Sequence, residues 1–247
     1  MLAPQTLVAA TILAAGLGRR LGHRPKAALH IDGTSVLERL IAALHAAGVA
    51  EVSVVLGAHA ETLAPLAARG GARTLPHGRS DSSLVDSQRL ALSHHLERYP
   101  GHDLMLVLAD LPWLNADDIG LVLGAWQARP AFIHAQMPLV DGVRGHPLLL
   151  SMAAVQPMSA MPSGVGVRDW LGRHPQLVKP VVTTRRAYTT DLDTPEDLAA
   201  LRAALAPRPV SWPAPWGDKD TQLADAAASS NTSRAAASPL SAEGNPA

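Results

Sequence analysis

The sequence predicts an α/β protein: one three-layer α/β/α domain on a mostly parallel sheet. Three observations predict it. Apolar runs of strand length alternate along the chain with stretches of helical periodicity. The strongest run, Leu7 to Ala14, is nearly continuous in apolar residues, as strands buried on both faces are. It also runs straight into a glycine-rich turn, the usual exit of a central parallel strand.

In chain order, Leu7 to Ala14 is the first strand and stops at Gly16. Ser35 to Ala47 reads as a helix, with Val36, Leu40, Ala43, Leu44 and Ala47 at helical spacing and Gly48 as its stop. Val52 to Leu56 is a second strand, His59 to Arg69 a helix, Ala72 to Leu75 a short strand and Ser82 to Arg98 a longer helix. Leu104 to Leu108 is a third strong strand, running toward Asp110. Asn115 is placed to cap a helix that runs to Gln127, with Asp117 and Asp118 at its positive end. Ala131 to Ala135, Leu148 to Leu150 and Leu177 to Val182 are later strand candidates. Thr194-Pro195 opens a last helix, with Thr as cap and Pro in the first turn. The domain is expected to cover residues 1–206. Residues 207–247, rich in Pro, Ala and Ser, are expected to be a disordered tail, because the stretch holds too little apolar surface to offset its ordering entropy.

Composition excludes several classes. The chain has 247 residues, 47% of them hydrophobic but only 3% aromatic, so its core must be aliphatic. Charge balances at 21 basic and 21 acidic residues, which gives no general attraction to nucleic acid or to an anionic membrane. There is no cysteine, so disulfides, thiolate nucleophiles and thiolate metal sites are excluded, and a cytoplasmic location is expected. Leu7 to Ala15 could pass for the core of a signal peptide, but no Lys or Arg precedes it and Arg19 and Arg20 follow, so a strand is the better reading. No apolar run reaches the roughly 20 residues that span a bilayer.

The chemistry concentrates in Leu13-Ala14-Ala15-Gly16-Leu17-Gly18-Arg19-Arg20-Leu21-Gly22-His23-Arg24-Pro25-Lys26. Glycines let backbone N–H groups approach phosphate closely, and Arg20 and Lys26 can neutralise a polyphosphate. A dinucleotide fingerprint would need glycine where Leu21 stands, and a P-loop would need Gly-Lys-Ser/Thr, which is absent. This stretch resembles the Ala-Ala-Gly-x-Gly-x-Arg…Pro-Lys signature of the NTP-transferase superfamily, and within it the MobA/MocA-like, molybdenum cofactor cytidylyltransferase-like family. The resemblance spans Leu7 to Leu205 and implies a Rossmann-like nucleotidyltransferase domain of the nucleotide-diphospho-sugar transferase type.

Further segments match that family. Leu108-Ala109-Asp110-Leu111-Pro112 resembles its Asp-x-Pro motif and implies that Asp110 holds Mg²⁺; an ordinary strand-end aspartate is the alternative. Asp191-Leu192-Asp193-Thr194-Pro195-Glu196-Asp197 resembles the family's Asp-Ile-Asp-Thr-Pro-Glu-Asp and implies Asp193, ahead of Asp191, as the second metal ligand. Alternation along an extended segment would point the two carboxylates opposite ways. Arg144-Gly145-His146-Pro147 resembles the Gly-His-Pro turn of the molybdenum cofactor branch and implies an acceptor pocket at Gly145, His146 and Pro147, with Arg168 beside it. Gly78-Arg79-Ser80-Asp81-Ser82-Ser83-Leu84 resembles a serine motif that opens a helix near the nucleotide base; plain helix capping by Ser82 or Ser83 explains it equally well. One departure stands out. Where the family has Gly-Asp-x-Gly-x-Arg, this chain has Ser163-Gly164-Val165-Gly166-Val167-Arg168, with Gly164 in the aspartate's place.

Together these imply that Leu13, Ala14, Ala15, Gly16, Gly18, Arg20, Lys26, Ser82 and Ser83 bind an NTP. Arg20, Lys26 and Asp110 would assist transfer of its NMP to a phosphorylated acceptor. Leu-Ala-Ala-Gly resembles the CTP-using branch rather than the GTP-using one. The expected reaction is therefore CMP transfer to molybdopterin, with a molybdenum hydroxylase apoenzyme as a further partner. The alternatives are a transferase acting on a sugar phosphate or other small phosphate, and a non-catalytic carrier or insertion chaperone for the molybdenum cofactor. A dinucleotide-dependent redox enzyme fits the glycine spacing poorly.

Overall fold

The computed structural model describes residues 1–3, 6–78 and 82–217. Arg79, Ser80 and Asp81 of the serine motif, and most of the tail, lie outside the described residues. Contacts divide the chain into two units, Met1–Val210 and Ser211–Ala247, and the first holds every element named below.

The sheet is built from residues that favour strands buried on both faces. β1 (Val8–Ala14) is buried from Ala9 onward. A hairpin of β2 (His30–Ile31) and β3 (Thr34–Ser35) leads into α1 (Val36–Ala46). Ser35 caps α1 in a reciprocal capping box with Glu38, so the helix begins where its first orphan N–H groups find an acceptor. β4 (Glu51–Leu56), α2 (Ala60–Arg69) and β5 (Arg73–Pro76) follow, then α3 (Leu84–Arg98), capped by Ser83 with Asp86. β6 (Asp103–Leu108) leads toward α4 (Ala116–Gln127), where Asn115 accepts from the N–H groups of Asp117 and Asp118. β7 (Ala135–Gln136), β8 (Pro138–Val140), β9 (Val143–Arg144) and β10 (Leu148–Leu150) are short. α5 (Met152–Ser159), α6 (Val167–Arg173), β11 (Val181–Val182) and α7 (Pro195–Leu205) complete the unit.

The main sheet has the order β5-β4-β1-β6-β10-β7. β5, β4, β1 and β6 are parallel, and β10 runs antiparallel to both its neighbours. The chain leaves β1 toward β4 and returns on its other side as β6, so a crevice opens at the carboxyl ends of β1 and β6. β11, β8 and β9 form a small second sheet.

Side chains divide between the two faces by strand alternation. Ile12 and Val107 join Leu37, Leu63, Ile119 and Trp126 on the face covered by α1, α2 and α4. Leu13 and Leu106 join Leu92, Val155 and Trp170 on the face covered by α3, α5 and α6. Each fully buried large side chain contributes about 1.5–3 kcal/mol, so these two clusters carry most of the fold's stabilisation.

The structure corrects several expectations. Ala131 to Ala135 is not one strand: Ile133 N–H donates back to Pro130 O in a turn, and pairing begins only at Ala135. Leu177 to Val182 is also broken, because Pro175 opens a 3-10 turn that closes at Leu177 and Pro180 cannot donate to a ladder, leaving Val181–Val182 as the strand. Periodicity did not reveal α5 and α6, since Pro157 interrupts the pattern of the first and the second is only seven residues long.

Candidate active site

The site is assembled at the carboxyl ends of β1 and β6. After Ala14 the chain turns through Ala15 and Gly16 into a 3-10 turn, Arg19–Leu21, flanked by Gly18 and Gly22. Gly18 has φ 59°, and its carbonyl accepts from the N–H groups of Leu21 and His23, each at 2.9 Å. A Cβ at Gly18 would lie 2.1 Å from the Arg24 carbonyl oxygen, so only glycine closes this loop.

Lys26, just after Pro25, reaches back under the loop. Its ammonium donates to Asp110 Oδ2 at 3.1 Å and also to Asp193 Oδ1. Arg20 Nη1 donates to Asp193 Oδ2 at 3.2 Å. Burial draws the Lys26 pKa down, but the charges of Asp110 and Asp193 outweigh it and hold the ammonium above its ordinary value. Asp191 is pushed upward by burial and by the like charge of Asp193. The segment bearing these two aspartates is not a regular strand, so alternation does not separate them and both line the same cavity. That segment is held to the first aspartate by Leu192 N–H donating to the Asp110 carbonyl at 2.9 Å. Asp193 N–H is fixed by Asp197, which also caps α7 with Thr194.

A cavity of about 290 Å³ lies above these groups. Leu13, Ala14, Ala15 and Gly16 form one wall, and Ser82 and Ser83 another. A contiguous concavity of about 500 Å³ follows the loop past Gly18 and Arg20. The two serines separate in role. Ser83 Oγ accepts from Asp86 N–H and donates to Asp86 Oδ2, so it is committed to the helix cap. Ser82 Oγ is buried with no partner among the described residues.

A second cavity of about 580 Å³ adjoins the first, and Leu84 lines both. Gly145, His146 and Arg168 line this second cavity, whereas Pro147 is buried behind the turn and does not. His146 Nδ1 is 3.3 Å from the Leu106 carbonyl. Burial lowers the imidazole pKa against that hydrogen bond and the nearby Asp110, so the ring is neutral near pH 7, Nδ1–H donates to Leu106 and Nε2 is left as an acceptor. Gly164 has φ 83°, a conformation that glycine adopts freely and an aspartate would enter only with strain.

The structure also brings in residues the sequence reading passed over. Leu84, Gln88 and Arg144 line the second cavity, Ser87 the first, and Tyr188 lies beneath the Gly145 turn. Arg144 stood inside the Gly-His-Pro segment already singled out. Tyr188 is one of only two tyrosines in a chain poor in aromatics, a signal that could have drawn notice.

The model of the MobA-like NTP transferase domain matches residues 10–178. The chain belongs to this family. Nicotine blue oxidoreductase of Paenarthrobacter nicotinovorans is 27% identical over 199 residues, covering 78% of this chain and 96% of that protein. Phosphoenolpyruvate guanylyltransferase of Sphaerobacter thermophilus is 28% identical over 172 residues, covering 68% and 77%. Among solved structures, Rv0371c of Mycobacterium tuberculosis H37Rv superposes with a TM-score of 0.66 at 24% identity, covering 81% of this chain and 98% of that one. A manganese complex of Rv0371c superposes with a TM-score of 0.63 at 22% identity, covering 79% and 98%. The MobA-like domain is thus a nucleotidyltransferase, and its mostly parallel sheet with helices on both sides is the architecture of these structural neighbours. Among the described residues no helix is long and apolar enough to cross a membrane.

Proposed function

We propose that this MobA-like transferase moves CMP from CTP to molybdopterin and releases pyrophosphate, with Mg²⁺ as the metal. The observation that carries this reading is the convergence of Lys26, Asp110 and Asp193 on the loop-lined cavity, which shares Leu84 with the second cavity. Two anionic substrates can meet there.

The donor chemistry fits a hard divalent cation. Asp110 Oδ1 is buried with no hydrogen-bond partner among the described residues, and hard carboxylate oxygens suit Mg²⁺. Among the described residues no three His, Asp or Glu side chains converge as ligands, so phosphate oxygens would have to complete the coordination. Asp110 and Asp193 would hold the ion, which when bound supplies positive charge to the reacting phosphates. The chain's own groups do the rest. Loop N–H groups around Gly16 and Gly18 bind the β- and γ-phosphates, and Arg20 and Lys26 neutralise the leaving pyrophosphate. The acceptor phosphate, already ionised at neutral pH, attacks the α-phosphorus in line; that bond forms as the α–β bridging bond breaks, and no general base is needed. His146, Arg144 and Arg168 would position the acceptor, and Ser82 is free to bond the base. The small volume of the first cavity supports a pyrimidine base over a purine, and the resemblance of Leu-Ala-Ala-Gly to the CTP-using branch supports CTP.

The test is pyrophosphate release with Mg²⁺ and molybdopterin, using ATP, GTP, CTP and UTP in turn. Release with CTP, abolished in Asp110→Ala, is expected. Faster release with GTP would overturn the choice of nucleotide. Faster release with a sugar phosphate would overturn the acceptor. Pterin binding without release from any NTP would favour the carrier reading, and oxidation of a nicotinamide cofactor would favour the redox one.

A further inference from the structure

The walls of the site come from segments far apart in sequence, and one buried residue bonds to two of them, through its side chain to one and its backbone to the other. Tyr188 is 1% exposed. Its hydroxyl donates to the Asp118 carbonyl in the first turn of α4 at 2.8 Å. Its own carbonyl accepts from His146 N–H at 3.0 Å. Gly145 packs so tightly over it that a Cβ there would lie 2.5 Å from the Tyr188 carbonyl oxygen and 2.9 Å from its Cβ. The glycine of the Gly-His-Pro turn is therefore explained by Tyr188 rather than by the ligand.

The same segment is tied again on either side. Arg185 donates to Asp118 Oδ1 at 2.7 Å, and Asp118 Oδ2 in turn accepts from Asn115 N–H. Leu192 N–H donates to the Asp110 carbonyl, and Asp193 meets Lys26. Residues 185–193 thus form a strap stitched to α4, to the acceptor turn and to the metal-site aspartates.

We propose that Tyr188 is a positioning residue that fixes the second cavity's Gly145-His146 turn relative to Asp110 and Asp193, so that a bound acceptor lies in line with the α-phosphorus. This rests on the reading of the two cavities as nucleotide and acceptor sites. In-line attack tolerates little displacement, and an error of about 1 Å can cost about a hundredfold in rate. Nucleotide binding depends on the loop and on Ser82; the strap meets the loop's Arg20 and Lys26 at Asp193, its far end from Tyr188.

Tyr188→Phe keeps the ring and removes the anchoring hydroxyl. Tyr99→Phe is the control, because Tyr99 is also buried and its hydroxyl meets Ser53, away from both cavities. In Tyr188→Phe, kcat/KM for the acceptor is expected to fall about tenfold or more, with the affinity for CTP unchanged. Tyr99→Phe should lose comparable thermal stability and keep wild-type turnover. Equal losses of turnover in the two variants, or weakening of CTP binding in step with the acceptor, would overturn the proposal. Amide hydrogen exchange reads the strap directly: His146 and Leu192 should exchange faster in Tyr188→Phe and not in Tyr99→Phe. A wild-type chain silent with every NTP and acceptor would overturn the functional reading, while unchanged exchange at His146 and Leu192 would overturn the strap itself.

Discussion

Asp103→Asn is expected to destabilise the fold strongly while leaving substrate affinities intact. Asp103 begins β6, at the opposite end of that strand from Asp110. Its side chain is 4% exposed and faces Arg129, itself 5% exposed, at 2.9 Å. Oδ2 also accepts from Trp126 Nε1 at 2.9 Å and from Thr6 Oγ1, while Oδ1 accepts from Met152 N–H at 3.2 Å. Burial lowers the Arg129 pKa and Asp103 opposes that, so the carboxylate is what makes a buried guanidinium tolerable. An asparagine keeps the volume. It loses the charge-assisted bond to Arg129, worth about 1.5–3 kcal/mol, and turns an amide donor toward Met152 N–H, forfeiting about 1 kcal/mol more. Leaving one buried charge unpaired typically costs about 3–5 kcal/mol in all. At about 2–4 °C per kcal/mol for a domain of this size, the melting temperature should drop by about 10 °C. Urea unfolding followed by circular dichroism measures the loss, and adding Arg129→Met should restore part of it. A loss under about 1 kcal/mol, or a change in the KM for CTP, would refute the reasoning.

Two further predictions concern the loop and acid. Gly18→Ala places a methyl against the Arg24 carbonyl in a left-handed conformation that itself costs about 1–2 kcal/mol, so the loop must shift; the KM for the NTP should rise about tenfold by steady-state kinetics, with acceptor affinity unchanged. Burial holds the pKa of His30, His94, His95 and His146 below the ordinary 6.5. Below that pH the unfolded chain binds more protons than the folded one, so stability should fall as pH drops from 7 toward 5. Asp191, raised in the fold, opposes this weakly. Melting temperatures across that range check it, and a flat profile would sink the argument.

The sequence by itself determined the layers. Leu7 to Ala14 and Leu104 to Leu108 are apolar enough to be buried on both faces, which only central parallel strands require. Ser35, Ser83, Asn115 and Thr194 mark helix starts, because a cap is a local bargain between one side chain and the next turn's N–H groups. Gly18 and Lys26 stood out together because the glycine-rich loop that joins them is continuous in sequence. Of the short strands, Leu148 to Leu150 was legible as β10; the bounds of β7, β8, β9 and β11 were not, since two or three residues carry no period and their pairing is decided by partners elsewhere. The direction of β10, antiparallel beside β6, is likewise a tertiary outcome. Only the folded chain shows that Asp191 and Asp193 share a cavity, that Ser83 is committed to its cap while Ser82 is not, and that Tyr188 explains Gly145. The first and last of these depend on contacts between residues far apart in sequence, as does the pairing of Lys26 with Asp193 across 167 positions. Local propensity cannot encode a distance of that kind; it is fixed by how the two halves of the sheet pack their helices and bring β1 and β6 side by side.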